Sequence, residues 1–152
     1  MTLVAFTLFV FLLSVPQSAI AGKIQLPIDD GLYVAKDTEC PKVKIESILY
    51  DIPEECIYYS SERNLFKFGD DMDHDFLLDS ISNKGDVYSV KGTAMSLAGS
   101  NPDVYPYELT LAIVDKASFS ITKSKCQVKN DKGFSDFIKG LSSTKIYRFC
   151  GK

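Results

Sequence analysis

The chain has 152 residues, 17 basic against 20 acidic side chains, a formal net charge of -3 and 45% hydrophobic residues. That length carries one domain of ordinary size and excludes a multidomain enzyme. The composition excludes a disordered or fibrous chain, and the charge excludes a generally basic nucleic-acid binder.

Residues 1–21 read as a secretory signal peptide. Leu3 to Val15 is apolar apart from Thr7 and Ser14, Pro16 ends the run, and Ala19-Ile20-Ala21 puts small residues at the cleavage position. The run is shorter than the roughly 20 residues a bilayer span needs, so no stable membrane insertion is expected after cleavage. Residues 22–152 then form one disulfide-stabilised domain. Its expected location is the periplasm in a bacterium and otherwise the extracellular space.

The predicted elements begin after a lead-in over residues 22–30. Leu32 to Lys36 is a short strand, and Val43 to Ser47 alternates apolar with charged residues as a half-buried strand does. Asp51 to Glu55 turns at Pro53. Cys56 to Ser60 is β-branched and aromatic, hence a strand, and Leu65 to Phe68 extends the sheet. Asp70 to Asp75 reads as an acidic loop. Leu77–Ser82 and Val87–Gly92 flank a hairpin turn at Asn83-Lys84-Gly85-Asp86. Thr93 to Ala98 continues that strand or makes a helical turn, and Gly99 to Pro106 is a loop. Tyr107 to Val114 is the clearest strand, with Tyr107, Leu109, Leu111 and Ile113 on one face. A turn at Asp115-Lys116 leads to its partner around Phe119 and Ile121, which continues to Cys126 and Val128. Phe134, Phe137, Ile138 and Leu141 then follow helical spacing, and Lys145 to Cys150 is the last strand.

Seven or eight short strands and one late helix predict a mainly β fold, a small antiparallel barrel or sandwich with one short C-terminal helix. The alternative is an α+β layer with the helix over a sheet. Gly31-Leu32-Tyr33, with Arg148 on the final strand, resembles the Gly-x-aromatic opening of a calycin barrel. No function is carried over from that resemblance.

Four cysteines, Cys40, Cys56, Cys126 and Cys150, predict two disulfides in an exported chain. Cys40–Cys56 and Cys126–Cys150 are favoured because each closes a local loop; crossed pairing that ties the termini together is the alternative. Without a CxxC pair, and with His74 the single histidine, neither a metal site nor a cofactor is expected.

No nucleophile elbow, glycine-rich phosphate loop or HExxH is present, so the domain is read as a non-enzyme. Asp71, Asp73 and Asp75 are spaced like the first ligands of a calcium loop, but Phe76 and Ser82 stand where that loop needs glycine and a bidentate acid. The candidate binding residues are Asp70, Asp71, Asp73, His74 and Asp75, joined by Tyr58, Tyr59 and Tyr105 as amphipathic contact rings. Charge is uneven along the chain, -9 over residues 22–110 and +6 over 111–152. Acids on a rigid β scaffold predict an exported protein partner, for example a basic hydrolase met by an inhibitor or immunity protein. The alternatives are carriage of a small apolar ligand inside a barrel and a structural secreted or envelope domain.

Overall fold

The structure is a computed structural model that describes residues 25–43, 47, 52–69, 71–96, 103–127, 131–143 and 145–152, with only the backbone at 71–73. Residues 1–21, the predicted signal peptide, lie outside the described residues.

Eight strands run in chain order: β1 (Gly31–Ala35), β2 (Cys56–Ser60), β3 (Leu65–Phe68), β4 (Asp71–Lys84), β5 (Val87–Ser96), β6 (Val104–Asp115), β7 (Ser118–Cys126) and β8 (Ile146–Gly151). Each pairs antiparallel with the next, and β8 pairs back onto β1, closing an up-and-down barrel. One helix, α1 (Lys132–Leu141), lies between β7 and β8. The predicted mainly β barrel with a late helix is the fold observed.

Alternation along each strand decides which residues fill the barrel. Tyr33, Tyr59, Phe66, Phe76, Leu109 and Phe119 point inward and are fully buried. Their rings meet edge-on or tilted: Tyr33 and Phe119 are 5.0 Å apart between centroids, and Tyr59 and Phe66 are 5.1 Å apart. Such offset contacts add to the burial of apolar area.

One end of the barrel is sealed by residues 25–30. Leu26 and Ile28 are buried there, and the tyrosines below them carry the polar contacts. The Leu26 amide donates to the Tyr59 hydroxyl at 2.9 Å, while the Tyr33 hydroxyl donates to the Asp29 carbonyl at 2.6 Å. The Asp29 amide reaches the Lys116 carbonyl at 2.9 Å, and Asp30 accepts from both the amide and hydroxyl of Ser61. Gly31 explains why the first strand opens as it does. Its φ is +145°, and a Cβ there would lie 2.3 Å from the Gly151 carbonyl oxygen and 2.7 Å from the Phe149 ring. Closing β8 onto β1 therefore demands glycine at this position.

Three sequence expectations need correction. Asp71 to Asp75 is not a loop but the first part of the 14-residue strand β4. Its register with β5 runs continuously from His74↔Ser96 to Leu78↔Gly92, so cross-strand pairing overrides the low strand propensity of aspartate. Val43 lies in no strand and Ser47 is helical; the remainder of that predicted strand lies outside the described residues. Thirdly, β6 begins at Val104, so the loop predicted to run to Pro106 ends earlier.

The favoured disulfide pairing is overturned, and the one bridge seen among the described residues ties the ends of the domain together, as the alternative pairing would. Cys40 bonds to Cys150 across a sequence separation of 110, while Cys56 and Cys126 are thiols. The favoured Cys126–Cys150 bridge is impossible geometrically. Ser118 pairs with Arg148, so Cys126 lies eight residues toward one end of the barrel and Cys150 two residues toward the other. At about 3.3 Å per residue, that places them on the order of 30 Å apart. Cys40–Cys56 fails because barrel closure sets β8 beside β1, where Cys150 takes the partner that sequence proximity assigned to Cys56. Cys56 is instead buried with Leu32, Val34 and Ile52 in a small cluster on the outer wall. In the chain-entropy model, so long a loop restricts the unfolded chain by roughly 4–5 kcal/mol. Alkylation after denaturation without reductant should label two residues, Cys56 and Cys126, and leave Cys40 and Cys150 linked. Labelling at none or at four would contradict this pairing.

Among the described residues no helix is long and apolar enough to cross a membrane.

Candidate functional site

The helix covers the barrel end opposite residues 25–30. Its start is set by Asp131, whose carboxylate accepts the Phe134 amide at 2.9 Å as an N-cap. Phe134, Ile138 and Leu141 form the buried stripe, with Phe137 packed beside it. On the far side the Ser124 hydroxyl donates to the Ile138 carbonyl, and the Ser143 amide donates to the Ile121 carbonyl, tying the helix to β7.

The helix presents two rings to the mouth of the barrel. Phe134 lies 4.5 Å from His74, 4.8 Å from Tyr105 and 5.9 Å from Phe76 between ring centroids. Phe137 lies 6.0 Å from Phe68 and 6.1 Å from Phe76. Strand alternation aims these partners inward: His74 and Phe76 are two apart on β4, and Phe76 is level with Ala94 and Tyr105 on the next two strands. Asp103 and Asp131 lie close to the Tyr105 hydroxyl, and its phenol pKa is raised, first by burial and then by those carboxylates. The mouth is thus an aromatic box with a carboxylate pair at its rim.

Tyr107 fixes the wall below this box. Its ring crosses Gly92 and its hydroxyl donates to the Leu77 carbonyl at 3.1 Å, bridging β6 to β4 over β5. A Cβ at Gly92 would lie 2.0 Å from that same carbonyl oxygen and 2.5 Å from the tyrosine hydroxyl.

The predicted site residues separate into three groups. His74 and Tyr105 come together at the mouth, 5.7 Å apart between rings. His74 is half-buried there, not exposed on a loop. Asp75 faces the outer wall and pairs with Lys67 at 2.6 Å. Tyr58 is half-buried on the outer wall against the Leu32–Val34 cluster, and Tyr59 is wholly inside the core. Asp70 lies outside the described residues, while Asp71 and Asp73 are described only as backbone of β4. Sequence reasoning missed Phe134, Phe137, Asp103 and Asp131. The helical stripe was visible in the spacing, but nothing in the spacing says which surface it meets. Asp131, three residues before Phe134, is the N-cap signal in the sequence that points to this end of the helix.

Elsewhere, a groove of about 620 Å³ runs across β4 to β7, lined among others by Asp79, Lys91, Glu108, Lys125 and Lys139. Glu108 and Asp79 there accept hydroxyl hydrogen bonds from Ser89 and Thr93. Cys126 also borders this groove; burial, then Asp131, pushes its thiol up to about 11, so at neutral pH it is protonated and a poor nucleophile. Among the described residues no three metal-ligating side chains cluster.

The fold and site define a closed eight-stranded barrel with one hydrogen-bonded end and one aromatic, helix-covered end. The chain matches no protein-family model, no curated protein and no solved structure.

Proposed function

We propose that this chain is an exported binding protein, not an enzyme, and that it carries one small ring-bearing apolar molecule at the helix-covered end of the barrel. The observation that carries this reading is the insertion of Phe134 and Phe137 among the inward-facing rings of His74, Phe68, Phe76 and Tyr105. Two helix side chains occupy the volume a ligand's rings would take, on an element that belongs to no sheet. An eight-stranded barrel is just wide enough to be filled by its own side chains or to hold one small ligand. Exchange between those two fillings needs only displacement of the helix.

The other reading, an exported protein partner such as a basic hydrolase, rested on an acidic loop at residues 70–75. With residues 71–84 in a strand, Asp75 paired to Lys67 and Tyr59 in the core, less supports it.

Titration with the neutral probe N-phenyl-1-naphthylamine tests carriage. Wild-type protein should enhance its fluorescence saturably at one probe per chain. Phe134→Ala should tighten that binding by about 10-fold, because it weakens the competing closed form and raises the competent fraction. Fluorescence that stays at the buffer level with wild type, Phe134→Ala and Phe137→Ala alike would end the carriage reading.

A further inference from the structure

The Cys40–Cys150 bridge has different surroundings at its two sulfurs. Arg148 lies two residues before Cys150 on β8, and its guanidinium is spread over the segment that leaves β1. Nε donates to the Lys36 carbonyl at 3.1 Å, Nη2 to the Thr38 carbonyl at 2.7 Å and Nη1 to the Cys40 Sγ at 3.2 Å. The Lys36 amide adds a bond to the Ile146 carbonyl at 2.7 Å, so this short segment is tied along β8. Among the described residues no carboxylate forms an ion pair with Arg148. Among the described residues, then, its charge is held against one sulfur of the disulfide and meets no acid. The other sulfur, on Cys150, packs against the outer-wall cluster of Leu32, Val34, Ile52 and Cys56.

We propose that this disulfide is a thiol-exchange site with a built-in direction: an incoming low-molecular-weight thiolate bonds to the Cys150 sulfur, and Cys40 departs as a thiolate onto Arg148. In this step one S–S bond forms between the reagent and Cys150, the Cys40–Cys150 bond breaks, and the electron pair of that bond stays on Cys40. No net oxidation occurs until a second reagent thiolate attacks the reagent sulfur. That second step releases Cys150 as a thiolate and leaves the reagent as its own disulfide, two electrons having passed to the protein.

The direction follows from where charge collects. In the transition state of thiol–disulfide exchange the negative charge sits mainly on the two terminal sulfurs, the nucleophile and the leaving group. An adjacent arginine lowers a thiol's pKa, and a lower leaving-group pKa speeds departure. The guanidinium already touches Cys40 and needs no reorganisation to receive the charge. Accessibility alone predicts the opposite outcome, because Cys40 is the exposed member of the pair and Cys150 is half-buried. The two causes give different products from the same reaction.

The experiment uses the full chain with its bridge intact. A brief exposure to limiting reduced glutathione is quenched in acid, remaining thiols are capped with N-ethylmaleimide, and the peptides are mapped. Electrostatic direction predicts glutathione on Cys150 and maleimide on Cys40, in excess of the reverse pattern by about 10 to 1. Arg148→Gln should abolish that bias, and Arg148→Lys should restore part of it. A loosened segment in Arg148→Gln could change the overall rate, but the ratio of the two adducts within one sample still reports direction. Glutathione mainly on Cys40, equal adducts in the wild type, a bias unchanged in Arg148→Gln, or a bridge inert to glutathione would each overturn the proposal.

Discussion

Gly92→Ala is expected to be strongly destabilising, costing about 3 kcal/mol or more of stability. The added carbon would lie 2.0 Å from the Leu77 carbonyl oxygen and 2.5 Å from the Tyr107 hydroxyl. The first of these is backbone in the middle of the β4–β5 ladder and cannot move without breaking register. The second is the tip of a buried ring whose hydrogen bond to Leu77 spans β5. Relief by swinging Tyr107 away would leave both its hydroxyl and the Leu77 carbonyl seeking partners, and it would open the wall beneath the mouth. Gly140→Ala is the matched control. Nothing lies within 4 Å of its Cβ position on the exposed face of the helix, and the substitution should stabilise by roughly 0.5–1 kcal/mol. Urea midpoints of the two variants should therefore move in opposite directions from the wild type. A Gly92→Ala midpoint equal to that of wild type would mean that Tyr107 does not lie across β5.

Phe134→Ala gives a separate reading of the same end of the barrel. Gly92 supports the wall, whereas Phe134 fills the space inside it. A ligand-binding mouth predicts that loss of the wall residue lowers probe affinity while loss of the filling ring raises it. A packed core with no binding role predicts that both lose stability and neither binds.

Local periodicity carried most of the barrel. The alternation Tyr107–Leu109–Leu111–Ile113 and the stripe Phe134–Phe137–Ile138–Leu141 each name an element and its buried face, because they reflect geometry over a few residues. Asp71 to Asp75 misled for the opposite reason. Aspartate favours turns when judged alone, but here Asp71 pairs with Phe68 on β3 and Asp75 with Met95 on β5, and only the closed ladder shows it. The disulfide was hidden in the same way. Cys40 and Cys150 meet only because β1 pairs with β8, a contact between the two ends of the chain that no local pattern encodes. For the site, His74 and Tyr105 were legible as residues worth attention. Their conjunction under a helix was not, since it depends on where the helix docks.

The two ends of the barrel are closed by different physics, and this distinction bears on how they open. Residues 25–30 are fastened by directional bonds with Tyr59, Tyr33 and Lys116, and breaking the first leaves the buried Leu26 amide and Tyr59 hydroxyl unpaired. The helix meets the mouth through ring contacts, which equivalent contacts with another aromatic body can replace, while its hydrogen bonds from Ser124 and Ser143 run to β7. The hydrogen-bonded end is the fixed one, and the aromatic end is the one suited to exchange.

Alkaline pH should unfold the barrel through its buried tyrosines. Tyr33, Tyr59 and Tyr107 all have raised phenol pKa values, with burial the leading cause in each; carboxylates add to the rise, Asp29 and Asp30 at Tyr33, Asp30 at Tyr59 and Asp79 at Tyr107. In the unfolded chain these phenols lose their protons near pH 10, whereas the folded barrel keeps them. Above that pH the unfolded state binds fewer protons than the native state, so unfolding free energy falls as pH rises. Their stabilisation is fully present below about pH 10 and is lost progressively above it. Each proton the native state keeps and the unfolded state loses contributes up to about 1.4 kcal/mol per pH unit, against an ordinary domain stability of roughly 5–15 kcal/mol. Tyrosinate absorbance at alkaline pH should therefore show a delayed, cooperative step that coincides with loss of the far-ultraviolet β signal. Tyr59→Phe should make the fall of stability with pH shallower, while costing about 1 kcal/mol at neutral pH through the lost bond to the Leu26 amide. If all eight tyrosines ionised in one gradual step near pH 10 with the circular dichroism unchanged, the three rings would have to be reachable by solvent, and neither the seal over Tyr33 and Tyr59 nor the packing of Tyr107 in the wall would exist as described.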